Sequence, residues 1–290
     1  MTLTKLLRSN AVHISCEIFP PKEFRQAEEV KAIAKDIAAL SPAYISVTYG
    51  AAGNTPHFTR ELSEAVQSFG VPALSHLTCI NDTKSKITSV LDDLENAGIT
   101  NVLALRGDIP EGHAFPGDDH FLHASELINA IKRRGGFCIG AACYPEGHPE
   151  APSRDRDLYY LRQKVDMGAD FLTTQMFFDN NILYNFLYRA LQKGISVPVY
   201  AGIMPVVNAK QIKRITSLSG AGLPPRFAAI IDRFGADPAS MREAGIAYAT
   251  EQIIDLIANG VNHIHLYTMN KPAIATAIFN NLRSILEYQG

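Results

Sequence analysis

The residues able to do chemistry in this chain stand at the ends of short apolar runs. Glu17 sits near the end of HISCEIF, ahead of two prolines that rigidify the exit. A carboxyl in such a place is drawn out of water, which disfavours its charged form and suits it to general-acid work. Asp108 follows Gly107 after NVLALR, so its side chain and the neighbouring backbone can approach a ligand closely. Arg106 stands two residues earlier, and an ion pair with Asp108 is the plainer use of both. Thr48 and Tyr49 end YISVTYG, His76 and Thr78 fall late in PALSHLTCI, and Tyr144 falls late in CIGAACYP. Gln175 lies late in FLTTQMFF, where it reads equally as a satisfied polar group of the core and as a ligand contact. Tyr267, Thr268 and Asn270 close the last run, HIHLYTM and the residue after it.

Those runs are the strands that must position these groups. Eight of them, at 13–19, 44–50, 72–80, 101–108, 138–145, 171–178, 197–204 and 263–269, alternate with stretches of helical periodicity such as EEVKAIAKDIAAL and SKITSVLDDLENAG. Caps are expected at Thr55, at Asp82 or Thr83, and at Asn208. Strand–helix alternation implies parallel βαβ units, and eight units in this length imply a closed (β/α)8 barrel of the TIM type rather than an open doubly wound sheet. An extra helix is expected between strands seven and eight, from GAGLPPRF and AGIAYATEQIIDLIANG. No linker or composition break divides the chain, so residues 1–290 are expected to form one domain. In such a barrel the active site lies at the C-terminal strand ends, where the polar residues cluster. A ring of polar groups around one mouth is better explained by a ligand than by packing.

Composition excludes several classes of function. The chain has 290 residues, 47% hydrophobic and 19% charged, with a net charge of -2 and a pI near 6.5. That balance suggests neither nucleic acid nor a membrane surface as partner. No window approaches the roughly 20 apolar residues of a membrane span. MTLTKLLRSNAVHIS lacks the features of a secretion signal, and Cys16, Cys79, Cys138 and Cys143 form no CxxC pair. They read as buried free thiols of a reducing, cytoplasmic compartment. HAFPGDDHFLH (113–123) has metal-like residues without recognised ligand spacing, and is read as a solvated loop. His263 and His265 alternate with Tyr267 and are read as core or supporting histidines, so no metal is expected. No GxGxxG or Walker pattern follows any strand.

The segments CEIFPPK, SVTYG, SHLTCI, NVLALRGDIP, AACYPEGHPEA, TTQMFFD, AGIMPV and LYTMNK together resemble, in order, the signature segments of bacterial methylenetetrahydrofolate reductases. The likeness runs from about Ile14 to Ile285. It implies an FAD-containing barrel that reduces 5,10-methylenetetrahydrofolate to 5-methyltetrahydrofolate, with NADH or NADPH as donor. The family's FAD contacts fall on Thr48, His76, Arg106, Gly107, Asp108, Tyr144, His148, Asp157 and Lys164. Its folate contacts fall on Glu17, Asp108, Gln175, Gln211, Tyr267 and Lys271. His148, Asp157, Lys164 and Gln211 rest on the resemblance alone. Glu17 would deliver a proton to the departing nitrogen as the methylene bridge opens, and Asp108 would bond the pterin and tune the flavin. Gln175 would offer donor and acceptor to the pterin. Arg106, Lys164 and the Thr48 hydroxyl would suit the FAD pyrophosphate or ribityl chain.

The chain also departs from the pattern. Ile215 stands where some members carry an aromatic ring that stacks on the nicotinamide cofactor's adenine. His123 replaces a tyrosine, Lys271 an arginine, and Cys16 and Ile18 replace aromatics. The donor side is therefore open to an alternative, a flavoprotein subunit fed by a partner protein with ferredoxin as the ultimate source. A barrel that binds folate without redox chemistry is a further alternative. A Schiff-base lyase or aldolase lacks the strand-end lysine or metal cluster it would need. A homo-oligomer is compatible with all of these readings.

Overall fold

A computed structural model describes residues 3–21, 23–49, 56–109, 117–210, 212, 215–216 and 220–288. Eight strands close into one barrel in sequence order: β1 (His13–Ile18), β2 (Ile45–Val47), β3 (Ala73–Thr78), β4 (Asn101–Leu105), β5 (Cys138–Cys143), β6 (Phe171–Thr174), β7 (Val199–Ile203) and β8 (His263–Tyr267). Every neighbouring pair is parallel, and β1 pairs with β8 from His13↔His263 to Glu17↔Tyr267. This is the expected (β/α)8 barrel. The strands are shorter than their apolar runs, because the last residues of each run turn out of the ladder to form the mouth.

The helices are α1 (Ala27–Ala38), α2 (Pro56–Ser68), α3 (Lys84–Asn96), α4 (Ala124–Arg134), α5 (Arg154–Asp166), α6 (Asn180–Gln192), α7 (Pro225–Phe234), α8 (Pro238–Ala258) and α9 (Pro272–Glu287). All but α7 lay an apolar stripe on the barrel, while Phe227 of α7 packs between Phe178 and Tyr248. In α3 the stripe is Ile87, Val90, Leu91 and Leu94, and the helix starts where the Thr83 hydroxyl accepts from Lys86 N. Asn208 Oδ1 likewise accepts from Lys210 N ahead of helical backbone at 209–210. Thr55 lies outside the described residues. Where one extra helix is expected between β7 and β8, two follow that helical backbone, α7 and α8. Asp237 caps α8 through Ser240 N.

The strands are buried on both faces, as parallel strands under helices must be. Outside the barrel wall, apolar side chains from strands and helices form one large core. Inside it, Tyr44, Leu74, Leu103, Phe171 and Tyr200 fill the N-terminal end, and Leu3 closes it from below. A short 3-10 turn, Leu3–Arg8, carries that plug, and Leu3 N donates to Asn101 Oδ1. His13 and His263 stack at the same end, 5.6 Å apart. All four cysteines are buried free thiols. Among the described residues, no helix is long and apolar enough to cross a membrane.

Candidate functional site

The mouth is held together at the seam between the first and last strands. Thr268 Oγ1 donates to the Glu17 carbonyl, and the Asn270 side chain bonds both N and O of Phe19, at 2.8 and 3.0 Å. To do this, Met269 and Asn270 adopt φ of 53° and 54°. Asn tolerates that left-handed region better than most residues, and Met does not, so the turn stores strain next to the site. The result fixes the exit of β1, and with it Glu17.

Period-2 alternation turns Glu17 into the barrel, where it is 8% exposed. Its Oε2 lies 3.6 Å from His76 Nε2 on β3 and 3.6 Å from His265 Nε2 on β8. Burial lowers His76 to about 4, with His265 adding to the effect and Glu17 opposing it, so His76 is neutral near pH 7. Its Nε2 is buried without a hydrogen-bond partner. Tyr267, opposite Glu17 in the ladder, donates to the Thr174 carbonyl at 2.7 Å. Burial, then the field of Glu17, pushes its phenol well above the usual range.

A second cluster lies at the exits of β4 and β5. Gly107 has φ of 86°, and a Cβ there would stand 3.0 Å from Thr78 Cβ, so glycine lets the β4 exit close onto β3. Arg106 does not pair with Asp108 as its plainer use suggests. Its guanidinium forms a two-pronged bond with Glu150, at 2.6 and 2.8 Å, 44 residues away. Asp108 is left exposed at the rim, its carbonyl taking a bond from Asn81 Nδ2. Tyr144 packs edge-on against His148, 4.6 Å between centroids. Burial, then Asp108 and Asp157, raise the Tyr144 phenol to about 12. The His148 amide donates to Asp157 Oδ2, and Lys164 Nζ donates to the Ala142 carbonyl. Burial lowers Lys164 while Asp157 opposes that, and burial raises Asp157. The Arg106 fork is thus neutralised by Glu150, and an anionic ligand would use it by displacing that carboxylate.

The remaining expected residues fall around the same mouth. Thr48 lies at the β2 exit, its amide donating to the Ile18 carbonyl. Gln175 ties β6 to β5 through its amide, and its Oε1 accepts from Met176 N, so its acceptor side is engaged. Lys271 precedes α9 and shares the wall of a small cleft with Met204, Asn208, Ile215 and Tyr267. Gln211 lies outside the described residues. His123 precedes α4. In the 113–123 segment, Asp118 and Asp119 are exposed and His120 Nδ1 lies 2.7 Å from Asp119 Oδ1, while residues up to 116 are outside the described set. Among the described residues, no group of three or more His, Cys, Asp or Glu is placed to hold a metal.

Sequence reasoning assigned no role to Ser15, Ser46 or Glu150. The serines carry a faint signal, small polar residues in phase with Glu17 or opposite it in otherwise apolar strands. Glu150 carries none, since its partner is set by the path of the β5 exit.

A family model for methylenetetrahydrofolate reductase matches residues 2–283. The 5,10-methylenetetrahydrofolate reductase of Escherichia coli (strain K12) is 34% identical over 272 residues, covering 93% of this chain and 90% of that protein. Methylenetetrahydrofolate reductase (NADH) 1 of Zea mays is 35% identical over 287 residues, covering 94% of this chain and 48% of that protein. Among solved structures, one described as an uncharacterized protein from Clostridium thermocellum that binds two copies of 5-methyl-5,6,7,8-tetrahydrofolic acid superposes with a TM-score of 0.68. The match covers 99% of both chains at 14% identity, a likeness of fold.

Proposed function

Because the chain belongs to the methylenetetrahydrofolate reductase family, we propose that it reduces 5,10-methylenetetrahydrofolate to 5-methyltetrahydrofolate, with bound FAD and with NADH or NADPH as donor. The barrel alone would carry this activity, as a cytoplasmic enzyme. The observation that carries the reading is Glu17, a buried carboxyl at the barrel mouth with two imidazoles behind one of its oxygens.

The residues present fit a flavin dinucleotide. His76 Nε2 is a buried polar atom without a hydrogen-bond partner, and the Arg106 guanidinium, held at the rim by Glu150, stands near Lys164. Thr48, His76, Arg106, Gly107, Asp108, Tyr144, His148, Asp157 and Lys164 would hold the group. When bound, FAD supplies the hydride chemistry that protein side chains lack.

The chain's own residues supply binding and proton transfer. Glu17 holds a proton and gives it to the nitrogen that leaves the methylene bridge. The carbon–nitrogen bond breaks, and the other nitrogen shares its lone pair with the methylene carbon to form an iminium ion. Glu17 ends as a carboxylate. Asp108 accepts from the pterin, Gln175 donates through Nε2, and Gln211, Tyr267 and Lys271 complete the folate contacts.

Ile215 supports a second reading. It offers an aliphatic side chain to the mouth cleft, and the missing aromatic stack would weaken a nicotinamide cofactor by about 1–3 kcal/mol, judged from base stacking in nucleic-acid sites. That favours a subunit fed by a partner protein. An anaerobic visible spectrum, taken before and after NADH and then NADPH, tests both readings. Bleaching supports the self-sufficient reductase. A flavin that stays oxidised with both supports the partner-fed subunit. No flavin after FAD is supplied overturns the assigned activity and leaves a folate-binding barrel. Glu17→Gln is expected to bind flavin and accept electrons, yet fail to pass them to the folate; normal folate turnover would remove Glu17 as the acid.

A further inference from the structure

The β5 exit places a polar side chain at every second position: Tyr144, Glu146 and His148. The rings of Tyr144 and His148 touch, and both are proposed flavin contacts. Glu146 has no part in either ligand's contacts, and its carboxylate goes elsewhere. Oε1 accepts from Gly222 N at 2.9 Å, 76 residues along the chain. The backbone of Glu146 is held on the flavin side. Its carbonyl accepts from Arg154 Nε at 3.1 Å, at the start of α5, the helix that carries Asp157 and Lys164. Gly147 N closes a turn on the Tyr144 carbonyl at 3.0 Å, and Gly147 takes φ of 94° to make it. Glu146 is thus pinned by its backbone to one loop and reaches with its side chain to another.

What it reaches is the far wall of the mouth. Gly220 N donates to the Thr216 carbonyl at 2.9 Å, so residues 220–223 continue directly from the helical backbone at 215–216. Ile215 on that backbone lines the mouth cleft with Asn208, Tyr267 and Lys271. Ala221 is buried, and Leu223 packs with it against Phe178, Val206, Ile212 and Phe227. Apolar packing is non-directional and fixes the depth of this segment. The bond to Glu146 is directional and fixes its place along the rim. A Cβ on Gly222 would crowd that bond, standing 3.2 Å from Glu146 Oε2. Gly222 is exposed and Glu146 half-buried, so the bond adds little to overall stability. Its consequence is for position.

We propose that Glu146 is a positioning residue that ties the wall following β7 to the flavin loop, and so sets the fit of the folate between them. This rests on the reading of the mouth as the methylenetetrahydrofolate site. Tyr144 and His148 stand on the loop that Glu146 belongs to, and Asn208 and Ile215 stand on the segment that it holds. With the tie made, the width of the mouth is fixed before folate arrives, and no binding energy goes to ordering it. With the tie broken, the reacting groups are unchanged. The loss then falls on folate affinity and not on the chemical step.

Two substitutions test the tie. Glu146→Ala removes the acceptor, and Glu146→Gln keeps one in its amide oxygen. Each FAD-loaded variant is reduced with dithionite, mixed with methylenetetrahydrofolate, and followed by flavin absorbance. In Glu146→Ala the folate concentration at half-saturation is expected to rise about three- to tenfold. The rate at saturating folate and the affinity for FAD should not change, and Glu146→Gln should recover most of the folate affinity. An unchanged half-saturation in Glu146→Ala, a loss of FAD affinity in its place, or equal losses in both variants overturns the proposal. Hydrogen exchange at the Gly222 amide gives a readout on the unsubstituted protein. Exchange should be slow in the parent and in Glu146→Gln, and faster in Glu146→Ala; rapid exchange in the parent overturns the tie. The two readings stay apart. If methylenetetrahydrofolate does not reoxidise the reduced parent, the proposed activity falls and this role of Glu146 with it. If the parent is reoxidised and Glu146→Ala saturates at the same folate concentration, the role of Glu146 alone falls.

Discussion

Replacing Gly202 with alanine measures how closely backbone approach sets the mouth. Gly202 lies on β7 between the exits of β6 and β8. An added methyl would collide with the Thr174 carbonyl oxygen and stand 2.8 Å from Tyr267 Cε2 and 3.0 Å from its Oη. The carbonyl cannot retreat cheaply. Thr174 also accepts from Gly202 N through Oγ1 at 2.8 Å, and its carbonyl holds the Tyr267 phenol at 2.7 Å. Overpacking of this kind costs about 1–3 kcal/mol. Displacing Tyr267 from Thr174 adds about 1 kcal/mol for the lost hydrogen bond. The expected destabilisation is about 2–4 kcal/mol, or a fall in Tm of roughly 3–7 °C for a chain of this size. A thermal melt followed by circular dichroism reads the first quantity. Folate affinity reads the second, since Tyr267 is a proposed folate contact, and a weakening of about tenfold is expected from the lost polar contact. FAD affinity should hold, because the proposed flavin contacts stand on the strands and exits of β2 to β5 and on α5, away from β6, β7 and β8. An unchanged Tm together with unchanged folate affinity would refute the reasoning, and so would a loss confined to FAD.

Glu150→Ala should cost about 1 kcal/mol or less, because Glu150 is exposed although Arg106 is half-buried. The same substitution frees the guanidinium for a diphosphate, so FAD titrated into the apoprotein should bind severalfold more tightly; weaker binding would mean that Glu150 orients Arg106 rather than occupying it. Asp108→Asn should slow both half-reactions, and unchanged rates with unchanged folate affinity would remove its assigned role. His76 contributes a pH dependence with a definite sign. Its folded value of about 4 lies below the ordinary 6.5 of a free imidazole, so the unfolded chain binds more protons between those limits. Its contribution is at its most favourable above pH 6.5 and declines as pH falls toward 4, by about 3 kcal/mol for so buried a group. Urea unfolding of the apoprotein at pH 7 and pH 4.5 should show a smaller acid loss in His76→Gln than in the parent; equal losses would refute the assignment.

The amino-acid sequence by itself determined the order of strands and helices and which residues stand at strand exits. Those properties depend on period-2 and period-3.6 patterns and on caps such as Thr83, all set within a few residues. The motifs at the exits also carried the family likeness, so Glu17, Arg106, Asp108 and Tyr144 were legible as a ring around one mouth. Partners were another matter. The sequence left Asp108 as the near partner of Arg106, and the structure turned the guanidinium to Glu150. Ser15 meets His265 only because β1 and β8, 250 positions apart, close the barrel in one register. That register follows from strand tilt and stagger around the whole sheet, which no local pattern encodes. Gly202 meets Tyr267 for the same reason, and so does the placing of two imidazoles behind one oxygen of Glu17. Local chemistry chose the residues; closure of the barrel decided which of them face one another.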